Sequence, residues 1–366
     1  MVKAKKDATQ PAEAAIPEGY TYEELCPLIG TTLGAGLSVL LRGHPGVGKS
    51  TLARELAGGL GLEMIDIRLA QRDPADLCGV YFPDRERKVL DLFPPEWVRR
   101  ACERPCFVFL DEINAAVTKL HQAVAYQIVL EHRVGQFPFH ERTVVMAAGN
   151  LEEDNAIVTA LSSALCNRFA HYILRVDRAT WLEWGAREGI DPSILAYIGR
   201  FGEEALFKNT GDLAFPTPRS WHMASRVLAR GERHDGKRLV AACVGVEASE
   251  RFFDYLRIYH QVDAAGIVRR GETVDFRKPA HADPSFVYAA IFAVAAYVVN
   301  EVEVADVHLP NVVKFLRSPG LDPEFKFLFL RQVRRGKEEL HRRLRQLPAY
   351  RTLALELVDL RKELYQ

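Results

Sequence analysis

Between Tyr20 and Asp177 the chain alternates short β-type runs with longer helical stretches. The runs are Ser38–Leu41, Met64–Arg68, Phe107–Leu110, Val144–Ala147 and Tyr172–Val176. The first is apolar enough to suit a buried parallel strand. After it, Leu52, Leu56 and Leu60 recur at helical spacing with Ala53 and Ala57 beside them, until Gly58, Gly59 and Gly61 break the pattern. Such alternation predicts an α/β fold, a parallel sheet with helices on both faces. A ligand site then belongs at the strand ends.

After Asp177 the strand pattern stops. Trp181–Glu188, Pro192–Gly202, Pro218–Ala229, Val246–Tyr259, Phe286–Glu301 and Val312–Leu316 all read as helices, and the chain stays helical from Phe325 onward. Arg331–Lys337 and His341–Arg345 form two basic stretches there. The start is rich in Ala, Lys and Pro and reads as a flexible tail. The pattern thus divides the chain into a tail at 1–20, an alternating region at 21–177, a helical domain at 178–300 and a basic helical extension at 301–366.

Composition narrows the partners. Of 366 residues, 48% are hydrophobic, enough for a sizeable core. Lys+Arg and Asp+Glu balance at 48 each, so no global charge argues for nucleic acid or an anionic membrane. The six cysteines are scattered without a metal-binding pair and read as reduced thiols. The longest apolar run, Phe286–Val299, is too short to span a bilayer. A soluble cytoplasmic protein is the expectation.

The chemistry concentrates at the ends of the apolar runs. Residues 43–50 read Gly-His-Pro-Gly-Val-Gly-Lys-Ser, the pattern of a phosphate-binding loop. Gly43, Gly46 and Gly48 let the chain turn tightly so that backbone N–H groups face a phosphate. Lys49 reaches the β- and γ-phosphates, and the Ser50 hydroxyl serves Mg²⁺. Pro45, Val47 and Thr51 complete the binding set. A helix starting near Lys49 adds its positive dipole end.

Cys106–Leu110 ends in the acid pair Asp111-Glu112. Asp111 would hold Mg²⁺ and Glu112 would polarise the attacking water as general base. Alternatively the pair caps the next helix. Asn150 ends another run and would orient that water or contact the γ-phosphate; otherwise it is a loop residue after Gly149. Arg168 reads as an arginine finger or a surface ion pair. Arg219, beside Pro218 at a helix start, would reach phosphate or stay solvated.

Together these residues resemble the AAA+ ATPases, and within them the MoxR-like branch. The resemblance rests on GHPGVGKS (43–50, Walker A), FVFLDE (107–112, Walker B), AAGN (147–150, sensor 1), ALCNRF (164–169, arginine-finger segment) and PTPRSW (216–221, sensor 2). It covers roughly residues 20–300; the extension beyond matches nothing assignable. The branch carries inserted hairpins. Cys78–Asp84 and Arg87–Phe93, turning at Arg85-Glu86, fit one, and Val134–His140 fits a second. Cys166-Asn167 departs from the commonest pattern, while Arg168-Phe169 keeps it.

The resemblance implies a P-loop NTPase (AAA+) fold with a five-stranded parallel αβα core, inserted hairpins, an all-helical lid and a helical C-terminal extension. It implies ATP and Mg²⁺ as cofactors and a homo-oligomeric ring, commonly a hexamer. Arg168 then serves the neighbour's ATP, while Lys49, Asp111 and Glu112 act within their own subunit. It further implies a chaperone-like remodeller of a protein client, often working beside a protein with a von Willebrand factor A domain. An AAA+ motor on nucleic acid, and an ATP-gated scaffold or defence switch, are the alternatives.

Overall fold

The structure is a computed structural model that describes residues 19–115, 118–151, 161–231, 235–300 and 306–364. The expected tail lies almost wholly outside the described residues, as does the start of the C-terminal extension at 301–305. Contacts divide the chain into two units, residues 1–44 with 49–175, and residues 176–366 with the loop tip 45–48.

Among its described residues the first unit has nine strands: β1 (Val39–Arg42), β2 (Glu63–Arg68), β3 (Val80–Asp84), β4 (Val89–Phe93), β5 (Cys106–Asp111), β6 (Arg133–Val134), β7 (Phe137–Pro138), β8 (Val144–Gly149) and β9 (Ala170–Ile173). Five of them form one sheet in the order β2-β5-β8-β1-β9, every neighbouring pair parallel. Helices α1 (Tyr22–Gly34), α2 (Lys49–Gly59), α3 (Pro74–Cys78), α4 (Glu96–Glu103), α5 (Lys119–Tyr126) and α6 (Ser163–Cys166) accompany it. Every residue of β5 is buried, as a central strand covered on both faces requires.

The last strand differs from expectation. It covers Ala170–Ile173 rather than Tyr172–Val176. Its register against β1 runs from Val39↔Ala170 to Arg42↔Ile173, and β1 ends where the glycine loop begins. Leu174 N–H still donates to Arg42 O at 2.8 Å, but nothing further along β1 is left to pair with.

Both hairpins form. In the first, Asp84 pairs with Val89, so the turn is the four-residue Arg85–Lys88 and not Arg85-Glu86 alone. Asp84 explains the longer turn: its Oδ1 accepts from the backbone N–H groups of Glu86 and Arg87, both at 2.9 Å. Val80, Tyr81, Phe82, Leu90 and Phe93 are exposed on this hairpin. In the second, Val134 pairs with Phe137 around Gly135, whose φ is 56°. That left-handed φ favours glycine, and a Cβ there would lie 2.9 Å from Leu92 Cδ2, so the leucine tip of the first hairpin would have to shift.

The second unit is helical among the described residues: α7 (Arg178–Glu188), α8 (Pro192–Phe201), α9 (Glu203–Leu206), α10 (Pro218–Leu228), α11 (Gly236–Val244), α12 (Val246–Tyr259), α13 (Pro279–Ala282), α14 (Pro284–Asn300), α15 (Leu309–Leu316), α16 (Pro323–Gly336), α17 (Glu338–Gln346) and α18 (Pro348–Leu364). Helix α14 is apolar nearly all round and packs against α8 and α16, the place such a helix must take in a core. Phe315, Phe329, Leu344 and Leu357, all beyond residue 300, join the same buried cluster as Trp221 and Phe252. Among the described residues no helix is long and apolar enough to cross a membrane.

Candidate active site

The three central strands of the sheet deliver the polar residues. Strand β1 runs into residues 43–48 and α2 begins at Lys49. Gly46 and Gly48 have φ of 76° and 110°, values that glycine alone adopts at no steric cost. Lys49 is 9% exposed, and its Nζ donates to Gly43 O (2.6 Å), His44 O (3.0 Å) and Asn150 Oδ1 (2.9 Å). All three ammonium donors thus have acceptors, and the third ties the start of α2 to the end of β8.

Strand β5 ends beside the same helix start. Ser50 Oγ donates to Asp111 Oδ2 at 2.9 Å, and Glu112 N–H donates to Asp111 Oδ1 at 3.0 Å. Glu112 has φ 55°, a left-handed conformation rare for residues with a side chain and concentrated at functional sites. The acid pair does not cap the next described helix, because α5 begins at Lys119 and takes Thr118 as its cap. On β2, Asp66 has its pKa raised, first by burial and then by the charge of Asp111, against the opposing effect of nearby arginines.

Asn114 is a residue the sequence reading missed. It is buried, its Nδ2 donates to Asn150 O at 2.9 Å, and its Oδ1 accepts from Asn150 N–H at 3.1 Å. A polar residue three positions after Asp111, beyond the end of a buried strand, was the available signal.

The structure therefore brings Lys49, Ser50, Asp111 and Asn150 together, with Glu112 next to Asp111 in the chain. Arg168 has other partners. Its guanidinium lies 4.4 Å from the Tyr126 ring centroid, its Nη1 donates to Ala164 O at 2.5 Å, and its buried Nε has no partner among the described residues. The segment is anchored nearby, with His171 Nε2 and Cys166 O at 2.8 Å and Arg42 Nη2 and His171 Nδ1 at 3.3 Å. Arginine only donates, so Nδ1 is the acceptor and Nε2–H donates to Cys166. Arg219 is exposed on the first turn of α10, in the helical unit. Thr217 and Ser220 form the capping box that starts this helix.

Residues 39–175 match the family model "ATPase family associated with various cellular activities (AAA)". Among curated proteins, the chain is 35% identical over 94 residues to the peroxisomal ATPase PEX1 of Arthrobotrys oligospora, covering 26% of this chain and 7% of that one. It is 34% identical over 83 residues to the nuclear valosin-containing protein-like protein of Mus musculus, covering 23% and 9%. The matched stretch is thus less than a tenth of either relative. Solved structures with a related course of chain include a RuvB variant of Thermotoga maritima (17% identity, 80% and 86% of the chains, TM-score 0.32). Another is NtrX of Brucella abortus in complex with ADP (14% identity, 88% and 67%, TM-score 0.39). The family match lies over the five-stranded parallel sheet and its glycine loop, so residues 39–175 have the AAA P-loop NTPase fold, followed by a helical C-terminal region.

Proposed function

We propose that this chain is an ATP-hydrolysing remodeller of the MoxR-like kind, acting on a partner protein complex as a chaperone-like activator or maturation factor. The observation that carries the reading is the interlocked set Lys49, Ser50, Asp111 and Asn150 at the ends of three adjacent strands. Gly43–Thr51 would hold the phosphates through backbone N–H groups and Lys49. Asn150, already bonded to Lys49, would orient the attacking water, and Glu112 would take its proton.

The donor set fits Mg²⁺. Ser50 Oγ and Asp111 Oδ2 are hard oxygen ligands 2.9 Å apart. Among the described residues no cluster of three or more His, Cys, Asp or Glu side chains is poised to hold a metal. One carboxylate and one hydroxyl, completed by phosphate and water, is how Mg²⁺ is usually held. The ion would neutralise charge on the phosphates; Ser50 and Asp111 would fix where it sits.

In this reading residues 21–177 form the nucleotide core, 178–300 the lid and 301–366 an extension of it. Copies assemble into a ring, commonly of six, and Arg168 completes the site of the next subunit. Arg219 couples the lid to nucleotide, and the exposed apolar hairpin residues Tyr81 and Phe82 face the client. A protein with a von Willebrand factor A domain is the expected companion.

A mixing experiment tests both hydrolysis and the shared site. Lys49→Ala and Arg168→Ala proteins should each lose ATP turnover, by about 10³-fold for a trans-acting arginine. Mixed in equal amounts, they should regain a measurable fraction, because some interfaces then pair an intact loop with an intact arginine. Mixed rings with no recovered phosphate release would overturn the trans role, and unchanged turnover in Lys49→Ala would overturn the ATPase reading itself.

A further inference from the structure

We propose that Asn114 is the positioning residue for Asn150, an assignment that rests on the ATPase reading above. Strand β5 pairs with β8 only as far as Leu110↔Ala147. Beyond that the chain turns away through the left-handed Glu112. Ile113 N–H still donates to Ala148 O at 2.9 Å, but no backbone of β5 is left to meet Asn150. The side-chain amide of Asn114 takes that place. It gives N–H to the Asn150 carbonyl and accepts the Asn150 N–H, the same two bonds a neighbouring strand would make.

The substitution is specific to asparagine. Aspartate has no donor for the Asn150 carbonyl, serine is too short to span both groups, and alanine leaves two polar groups of Asn150 open. The neighbouring glycine belongs to the same device. A Cβ on Gly149 would sit 2.8 Å from Asn114 Oδ1 and 3.1 Å from its Cγ, so glycine there admits the amide. Asn150 in turn presents its Oδ1 to Lys49 at 2.9 Å. Asn114 thus fixes the backbone from which Asn150 reaches the phosphate-loop lysine, and it acts on the chemistry only through Asn150.

Hydrogen exchange on the intact 366-residue chain without nucleotide reads the holding directly. In Asn114→Ala, exchange at the Asn150 amide should rise about tenfold or more while Ala147, inside β8, stays protected. Unchanged protection of Asn150 would overturn the proposal. ATP turnover reads the consequence. Asn114→Ala should lower kcat by about 10²-fold, the scale of a 1 Å misplacement, with a much smaller change in KM. In an Asn150→Ala background the same substitution should cost nothing further; losses that multiply would overturn the action through Asn150. Gly149→Ala leaves Asn114 in place and pushes on its amide, so it repeats the test if Asn114→Ala fails to fold. Normal exchange at Asn150 and normal turnover in that variant would count against the proposal. Should Asn150→Ala itself turn over normally, the catalytic reading of Asn150 fails, and the exchange result alone decides whether Asn114 holds it.

Discussion

The polar cluster of the sheet unit is partly buried and the aromatic cluster of the helical unit fully so, and they are built on opposite principles. Lys49 bonds Asn150 and the Gly43 carbonyl, Asn114 bonds Asn150, and Ser50 bonds Asp111, by hydrogen bonds of 2.6–3.1 Å. In the helical unit Tyr197, Trp221, Phe252 and Tyr255 pack ring against ring with centroids 5.4–5.8 Å apart. There Trp221 Nε1 donates to Ala205 O at 2.8 Å, while the buried Tyr255 hydroxyl has no partner among the described residues. Directional bonds fix where atoms sit; ring contacts remove area from water and tolerate a range of angles. The first cluster should govern turnover and the second stability.

The largest effect that could break this division is at Glu112. Glu112→Gln should lower turnover by about 10²–10⁴-fold, the usual weight of a general base, with ATP still bound and the unfolding transition little moved. Steady-state phosphate release, nucleotide titration and calorimetry on one preparation check all three. Unchanged turnover would remove Glu112 from the chemistry. A lowered unfolding temperature with lost turnover would show that the left-handed turn at Glu112 carries structure as well.

The converse substitution is Phe252→Ala. Phe252 is fully buried, with the rings of Tyr197, Trp221 and Phe253 around it. Truncating a buried phenylalanine costs about 3–5 kcal/mol, from lost transfer energy and the cavity left behind. The helical unit should unfold at lower denaturant concentration, while kcat per folded molecule at low temperature stays near that of the unaltered protein. A proportionate fall in kcat would show that the division between the clusters is false.

The two clusters also differ in how far the sequence discloses them. Gly43–Ser50 is legible because every residue that makes the loop is local, and the apolar flanks announce strand and helix. Asp111 and Asn150 follow from strand ends, once a parallel sheet is inferred. Asn114 is not legible in that way, since its partner is 36 residues further along and the pairing depends on β5 turning away at Glu112. The stacking of Arg168 on Tyr126 likewise joins residues 42 positions apart in sequence, with no periodicity to signal it. Helix α11 carries a local signal, since Val240 and Val244, both fully buried, are four residues apart on one face. The short final strand and the four-residue hairpin turn were set by where β1 ends and by the Asp84 cap, not by local propensity.

The smallest effect sharpens the comparison most, because it isolates one atom in the aromatic cluster. Burial pushes the Tyr255 phenol far above its ordinary value, with the neighbouring Tyr259 adding to it and Arg200 opposing. Burial likewise pushes Tyr197 up to about 12. An unfolded tyrosine ionises near pH 10. A folded-state value raised above the unfolded one means the stabilisation is complete below about pH 10 and is lost as pH climbs through the interval above it. Each such phenol adds a slope of up to about 1.4 kcal/mol per pH unit in that interval. Tyr255→Phe removes one contribution, so its stability should fall less steeply above pH 10 than that of the unaltered protein. At neutral pH it removes a buried hydroxyl that has no partner among the described residues, so stability should hold or rise by about 1 kcal/mol. Denaturant melts at pH 7 and across pH 9–11 measure both. A clear loss at pH 7 would mean that the hydroxyl has a bonding partner after all, and the helical cluster would then be directional in the same sense as the site on the sheet.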